Sequence, residues 1–279
     1  TQVTQEGHDK QDETLGGTRY YSRIPIRHIV PNVITILSIC AGMTGIRYAF
    51  EGRFGLAVVL VLGAAFLDGI DGRIARFVNG QSRFGAEMDS LADVVNFGVA
   101  PALLLYAYTL HDAGAVGWIA ALLYASGSAL RLARFNTMLD EPNKPAWKSA
   151  FFTGVPAPAG AALALFPVYL GFSGDGTGFP QVTAAFSSVY LVVVGLLMAS
   201  RIPTYSGKTI GMPVRREHVV PAVLVVVLYI GLLLSFFWET LTLSVVAYFV
   251  LMPFGVRSYR KAEALSLIHI SEPTRLRRI

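Results

Sequence analysis

The apolar residues of this chain gather in long stretches, each close to the ~17–25 residues that an α-helix needs to cross a bilayer. Eight such stretches stand at roughly 29–50, 54–75, 86–109, 114–135, 152–171, 181–200, 219–237 and 239–256. Charged or turn-forming segments part most of them: EGR at 51–53, VNGQSR at 78–83, HDAG at 111–114 and DEPNKPAWK at 140–148. SGDGTG at 173–178 and RIPTYSGKTIGMPVRRE at 201–217 complete the set. The pattern predicts an all-α integral membrane protein with about eight transmembrane helices.

Three parts follow from it. Residues 1–28 form a polar, glycine-containing tail and a juxtamembrane segment (RYYSRIPIRH, 19–28) suited to the headgroup level. Residues 29–260 hold the spans. Residues 261–279 are a C-terminal tail, whose last stretch, SLIHISEPTRLRRI, carries no span or periodicity and reads as an appended segment. The start at Thr1, with no signal-peptide core behind it, reads as trimmed.

Composition strengthens the membrane reading. Hydrophobic residues make up 53% and charged residues 15%, with a mean hydropathy of +0.53. A soluble domain carries roughly 25% charged residues to present a polar surface. The net charge of +5 and pI near 9.4 would suit nucleic acid in a soluble protein. Their distribution says otherwise. With the N-terminus cytoplasmic, 21 of the 23 Lys and Arg residues fall on the cytoplasmic side, and only Arg47 and Arg53 fall opposite. Cationic loops resist translocation, so this asymmetry supports eight spans with both termini cytoplasmic, in the inner membrane, and gives no reason to expect a nucleic-acid partner. The single cysteine, Cys40, excludes an intrachain disulfide and is expected to be a small buried packing residue.

Candidate chemistry lies where the second stretch ends (FLDGIDGRIARF) and the third begins (GAEMDSLADVVNFG). Asp68 and Asp71 are spaced i, i+3, and Asp89 and Asp93 are spaced i, i+4, so each pair projects from one helical face. A short connection makes the helices antiparallel neighbours, and the four carboxylates converge. Ionisable groups inside apolar helices are costly and mark function or a partner. Four anions together demand cations, and all-oxygen ligands without His or Cys point to Mg²⁺, Mn²⁺ or Ca²⁺ rather than zinc. The competing reading is helix-end salt bridges to Arg73, Arg76 or Arg83.

Asp71-Gly72, Ala75-Arg76, Gly85, Asp89 and Asp93 stand at the spacings of a known signature, with Asp68 upstream. The segment resembles the CDP-alcohol phosphotransferase family at all seven fixed positions of that signature. The resemblance implies that family's helical membrane fold and displacement of CMP from a CDP-linked lipid by an alcohol. It implies two divalent ions (Mg²⁺ or Mn²⁺, with Ca²⁺ a further option) held by Asp68, Asp71, Asp89 and Asp93, and Asp93 as the general base. It also implies a CDP contact for Gly72, Ala75, Arg76 and Gly85. Close helix packing is the competing role for the two glycines.

Two later segments, SGSALRLARFNTM (126–138) and FFTGVPAPAG (151–160), resemble the phosphatidylserine synthase branch of the family. That branch implies CDP-diacylglycerol and L-serine as substrates, membrane lipids as surroundings and a homodimer. Arg131 and Arg134, i, i+3 on one face, can bind the carboxylate of serine, and Asn136 can orient substrate. The competing roles are positive-inside anchoring for the arginines and helix capping for Asn136. Two other functions stay open at this stage. One is the same chemistry on glycerol 3-phosphate, inositol phosphate or choline. The other is a cation-coupled transporter, although the sequence shows no second half carrying a matching Asp set.

Overall fold

A computed structural model describes residues 26–77, 82–139, 151–173, 180–205 and 216–271. The N-terminal tail, most of the juxtamembrane segment and residues 272–279 lie outside them. Helix α1 (Ile26–Phe50) reverses through Glu51–Arg53 into α2 (Phe54–Phe77). Gly52 takes φ +76 there, a left-handed conformation that suits glycine.

The two helices pack closely because their facing residues are small. Ala57, Val61, Ala64 and Asp71 are buried along one stripe of α2, with half-buried Asp68 between them. Their spacing of three or four residues keeps them on one face. The apposed face of α1 buries Gly42, Gly45, Ile46 and Ala49. A Cβ at Gly45 would stand 2.8 Å from a Val61 methyl and 3.1 Å from the Ala57 carbonyl oxygen. The stripe that seals α2 against α1 thus ends in the aspartates and carries them inward.

The third span, Arg83–Tyr108, runs in three segments: α3 (Arg83–Asp93), a π-helical stretch (Val94–Val99) and α4 (Ala100–Tyr108). Ser82 caps α3 by accepting a 3.0 Å hydrogen bond from the Gly85 N–H. Pro101 has no N–H to give to the Phe97 carbonyl four residues back. The Tyr124 hydroxyl, from α5 (Ala115–Leu139), fills that place at 2.8 Å. The same device recurs at the fifth expected span. It divides at Leu165 into α6 (Ala157–Ala164) and α7 (Phe166–Ser173); Pro167 has no N–H to give to the Leu163 carbonyl, which accepts from the Leu165 N–H and, at 2.8 Å, from the Tyr190 hydroxyl.

Helix α8 (Pro180–Ala199) crosses α5 at two glycines: a Cβ on Gly127 would meet the Gly195 carbonyl oxygen at 2.6 Å, and one on Gly195 would meet the Tyr124 Cα at 2.9 Å. Close backbone approach of this kind is how helices associate where lipid is as apolar as the side chains. Two three-residue strands, β1 (Phe151–Thr153) and β2 (Pro203–Tyr205), pair antiparallel and tie together the segments that follow α5 and α8. Helices α9 (Arg216–Ser235) and α10 (Phe237–Ser271) complete the chain. At the end of the bundle where α1 turns into α2, Phe54, Tyr108, Phe172 and Trp238 form an aromatic cluster, with Phe172 and Trp238 stacked at 4.5 Å.

The all-α class holds, apart from that one strand pair. Five helices among the described residues are long and apolar enough to cross a membrane: Ile29–Phe50, Phe54–Phe77, Arg83–Tyr108, Ala115–Met138 and Phe237–Tyr259. Ala184–Ala199 and Val219–Ser235 are shorter apolar helices, and the 152–171 stretch is broken. Helix α10 also continues to Ser271, beyond the expected tail boundary at 261. Cys40 is exposed, contrary to expectation, because the inward face of α1 is formed by positions 35, 38, 42, 45, 46 and 49.

The glycine crossing is testable. Gly195→Ala is expected to lower stability by about 1–3 kcal/mol through overpacking against the α5 backbone. Gly63→Ala, where a Cβ meets nothing within 4 Å, is expected to be neutral or stabilising. Thermal unfolding of the two variants in detergent makes the comparison.

Candidate active site

Asp68 and Asp71 stand on the inner face of the last turns of α2, and Asp89 and Asp93 on α3. One carboxylate oxygen from each of Asp68, Asp71 and Asp89 lies within 4.8 Å of the others. Oxygens on opposite sides of one ion at ~2.1–2.6 Å stand roughly 4.2–5.2 Å apart, so this spacing suits a hard divalent cation. Two further observations fit a cation. Asp68 Oδ1 and Asp71 Oδ1 are buried without any hydrogen-bond partner. The ion pairs among the described residues are Arg47–Glu51 and His111–Asp112, so Arg73, Arg76 and Arg83 form none with these aspartates.

Asp93 stands outside the three-carboxylate set but in hydrogen-bond contact with Asp68. Two carboxyl groups so close need a proton or a cation between them. Beyond Asp93 lies Arg131 of α5, only 8% exposed, within electrostatic reach of both Asp93 and Tyr248 of α10. Its Nε is buried and makes no hydrogen bond. A buried guanidinium with an unused donor beside a carboxylate is a place for an anionic group.

The other expected site residues divide. A Cβ on Gly72 would meet nothing within 4 Å, so its backbone is open to close approach, and Ala75 follows it, half-buried, one turn on. Gly85 differs: a Cβ there would stand 2.9 Å from Asn32 Oδ1 and 3.1 Å from Ser82 Oγ, which gives that glycine a packing role against α1. Arg76 is exposed and donates from Nε to the Gly72 carbonyl at 3.1 Å. Asn136 donates to Ser90 Oγ at 3.0 Å, joining the end of α5 to α3 between Asp89 and Asp93. Arg134 donates to the Ala199 and Ser200 carbonyl oxygens at 2.7 and 3.3 Å, closing the C-terminal end of α8. The i, i+3 arginines therefore part: Arg131 lies buried within electrostatic reach of Asp93, and Arg134 braces a neighbouring helix.

Three polar neighbours of the site were not singled out from the sequence. Thr35 Oγ1 donates to Asp71 Oδ2 at 2.6 Å, Asn32 packs on Gly85, and Tyr248 is within electrostatic reach of Arg131. The signal for the α1 pair was present: Asn32, Thr35 and Ser38 recur every three residues in an apolar span, so they share a face.

A family model described as CDP-alcohol phosphatidyltransferase matches residues 28–200, which include every residue of the acidic cluster. A Mycobacterium leprae protein named CDP-diacylglycerol–serine O-phosphatidyltransferase is 45% identical over 200 residues, covering 71% of this chain and 65% of that protein. The match thus spans slightly less than two thirds of that relative's length. Proteins of the same name from Mycobacterium bovis and Helicobacter pylori are 41% and 39% identical. Those matches cover 83% and 63% of this chain and 79% and 71% of the relatives. With its acidic cluster formed by two adjacent helices inside the matched region, the chain belongs to the CDP-alcohol phosphatidyltransferase family.

Proposed function

We propose that this protein transfers the phosphatidyl group of CDP-diacylglycerol to the hydroxyl of L-serine, releasing CMP. The observation that carries the reading is the convergence of Asp68, Asp71 and Asp89 beside Asp93 and the buried, partly unpaired Arg131. Relatives that carry this activity in their names support the choice of serine.

Asp68, Asp71 and Asp89 would hold divalent ions, Mg²⁺ or Mn²⁺, which would supply charge neutralisation for the diphosphate and for the departing CMP. The remaining work belongs to the side chains. Arg131 holds the serine carboxylate, which sets the hydroxyl near Asp93. An Asp93 oxygen takes the hydroxyl proton as the serine oxygen bonds to the phosphorus nearest the lipid. The bond from that phosphorus to CMP breaks, and CMP leaves with its electron pair. The open backbone at Gly72 and small Ala75 give the nucleotide room to lie against α2. Asn136 holds α3 through Ser90, and Arg134 fixes α8 beside α5, so these two shape the acceptor site without facing the substrate.

The chain is read as lying in the inner membrane, with the acidic cluster and both termini cytoplasmic. The charge asymmetry supports this. In a Cys40→Ser background, Glu51→Cys is expected to react with a membrane-impermeant maleimide on intact cells, and Phe77→Cys only after permeabilisation. The reverse pattern overturns the orientation.

Release of CMP by purified protein, assayed with each candidate alcohol, tests the reaction itself, and a lack of preference for serine sinks it. Asp93→Asn is expected to cut kcat by about 10²–10⁴ while CDP-lipid binding persists, as loss of a general base does. Asp71→Asn is expected to weaken metal-dependent CDP-lipid binding itself.

The acceptor site has its own test. A charge-assisted hydrogen bond contributes ~1.5–3 kcal/mol. Arg131→Gln should therefore lower kcat/KM for serine by roughly 10–150-fold. Ethanolamine, which is serine without the carboxylate, should lose far less. Equal losses on both would remove Arg131 from the carboxylate.

A further inference from the structure

One connected set of buried hydrogen bonds runs from the acidic cluster into the interior of the bundle. Thr35 Oγ1 donates to Asp71 Oδ2 at 2.6 Å, and Asp71 is only 1% exposed. Threonine inside a helix ordinarily turns its hydroxyl back to the carbonyl four residues earlier. That carbonyl, of Pro31, is here the longer contact at 3.1 Å. A hydroxyl has one proton and a carboxylate only accepts, so the proton goes to Asp71. One turn further along α1, Ser38 Oγ donates to the Thr35 carbonyl at 2.9 Å and accepts from Asn96 Nδ2, also at 2.9 Å. Asn96, fully buried, lies in the π-helical stretch three residues after Asp93. It fits against α1 only because position 42 is glycine: a Cβ there would stand 2.4 Å from Asn96 Oδ1.

We propose that Thr35, Ser38 and Asn96 form a positioning ladder through which α1 sets the carboxylates of α2 and α3 in ligand geometry. Thr35 is a positioning residue. By holding Oδ2 of Asp71 it leaves Oδ1, the oxygen without a partner, to face the cation. Threonine in a helix divides between two χ1 rotamers, and the Asp71 and Pro31 contacts select the one that aims the hydroxyl at Oδ2. Asn96 pins the π-helical stretch, and with it the depth at which Asp89 and Asp93 stand opposite Asp68 and Asp71. Helix α1, which contributes no carboxylate, is thereby the common reference for both pairs.

The inference rests on the metal reading above, so the test separates the two. Mn²⁺ is titrated into the full-length protein in detergent, free ion is followed by electron paramagnetic resonance, and Tm is recorded in parallel. Wild-type protein is expected to bind Mn²⁺, and absence of binding overturns the metal reading together with the ladder. Thr35→Val, which keeps the shape and removes the donor, is expected to weaken Mn²⁺ binding roughly 10–100-fold, the range for loss of a group that orients a metal ligand. Thr35→Ser is expected to restore affinity. If wild type binds and Thr35→Val binds equally well, or loses only Tm, the ladder is overturned and the metal reading stands. Should Thr35→Val fail to fold, Ser38→Ala is read instead. It retains the Thr35–Asp71 bond, and it is expected to weaken Mn²⁺ by a smaller factor, with unchanged affinity overturning the ladder.

Discussion

Carboxylates cannot be gathered in an apolar helix pair unless something offsets both their mutual repulsion and their loss of water. Three of them here bring oxygens within 4.8 Å of one another, and a fourth touches the first. No cationic side chain forms an ion pair with them among the described residues. In water such a cluster would cost little; away from water the cost rises steeply, because charges there are poorly screened. The fold therefore makes sense around a site that a divalent ion completes. It also explains why the surrounding helices are held by backbone proximity and by buried hydrogen bonds. Anything looser would let the carboxylates separate.

That constraint orders the packing. Small residues let α2 lie close against α1, and the same stripe continues into Asp68 and Asp71, so one surface determines both helix contact and ligand position. On the other side, α5 meets α8 through Gly127 and Gly195 and is locked there by Arg134. This fixes Arg131 at a definite height beside Asp93. Proline is used in the same spirit. Pro101 and Pro167 each withhold an N–H from a carbonyl four residues back, and each carbonyl accepts from a tyrosine of a neighbouring helix, Tyr124 and Tyr190. In a bilayer an open carbonyl has no water to turn to, so a bend there must come with its own donor.

Much of this was legible in the sequence. The acidic quartet declared itself because charged residues in apolar stretches are conspicuous and because i, i+3 and i, i+4 spacing fixes the face. The helical class followed from the length of the apolar runs. What stayed hidden depended on partners far apart in the chain. Nothing local separates Arg131 from Arg134, which share a face, a charge and a turn. One lies within electrostatic reach of Asp93 and the other reaches the end of α8, because α8 passes where it does. The division of the 152–171 stretch at Leu165 was masked by its uniform apolarity, although Pro167 marked the place. Cys40 was misplaced for a related reason. An apolar span has no polar face to show which side turns inward, and in α1 that side is announced by the small and hydroxyl residues Thr35, Ser38, Gly42 and Gly45.

Those small polar residues carry a further point about how the family's chemistry and its selectivity are kept apart. The carboxylates and their α1 reference lie within residues 32–96, and the contacts among them join the first three spans of the chain. The proposed acceptor side centres on Arg131 of α5, and Tyr248 of α10, within electrostatic reach of it, lies beyond the 28–200 family match. A metal centre tolerates little displacement, because ligand oxygens must stay within a few tenths of an ångström of their places. A pocket for an alcohol tolerates far more. On the proposed assignment, confining the first to a hairpin braced by α1, and building the second from later helices, would let the acceptor site vary without disturbing the ion. Arg131 is the side chain that spans the two regions, within electrostatic reach of both Asp93 and Tyr248.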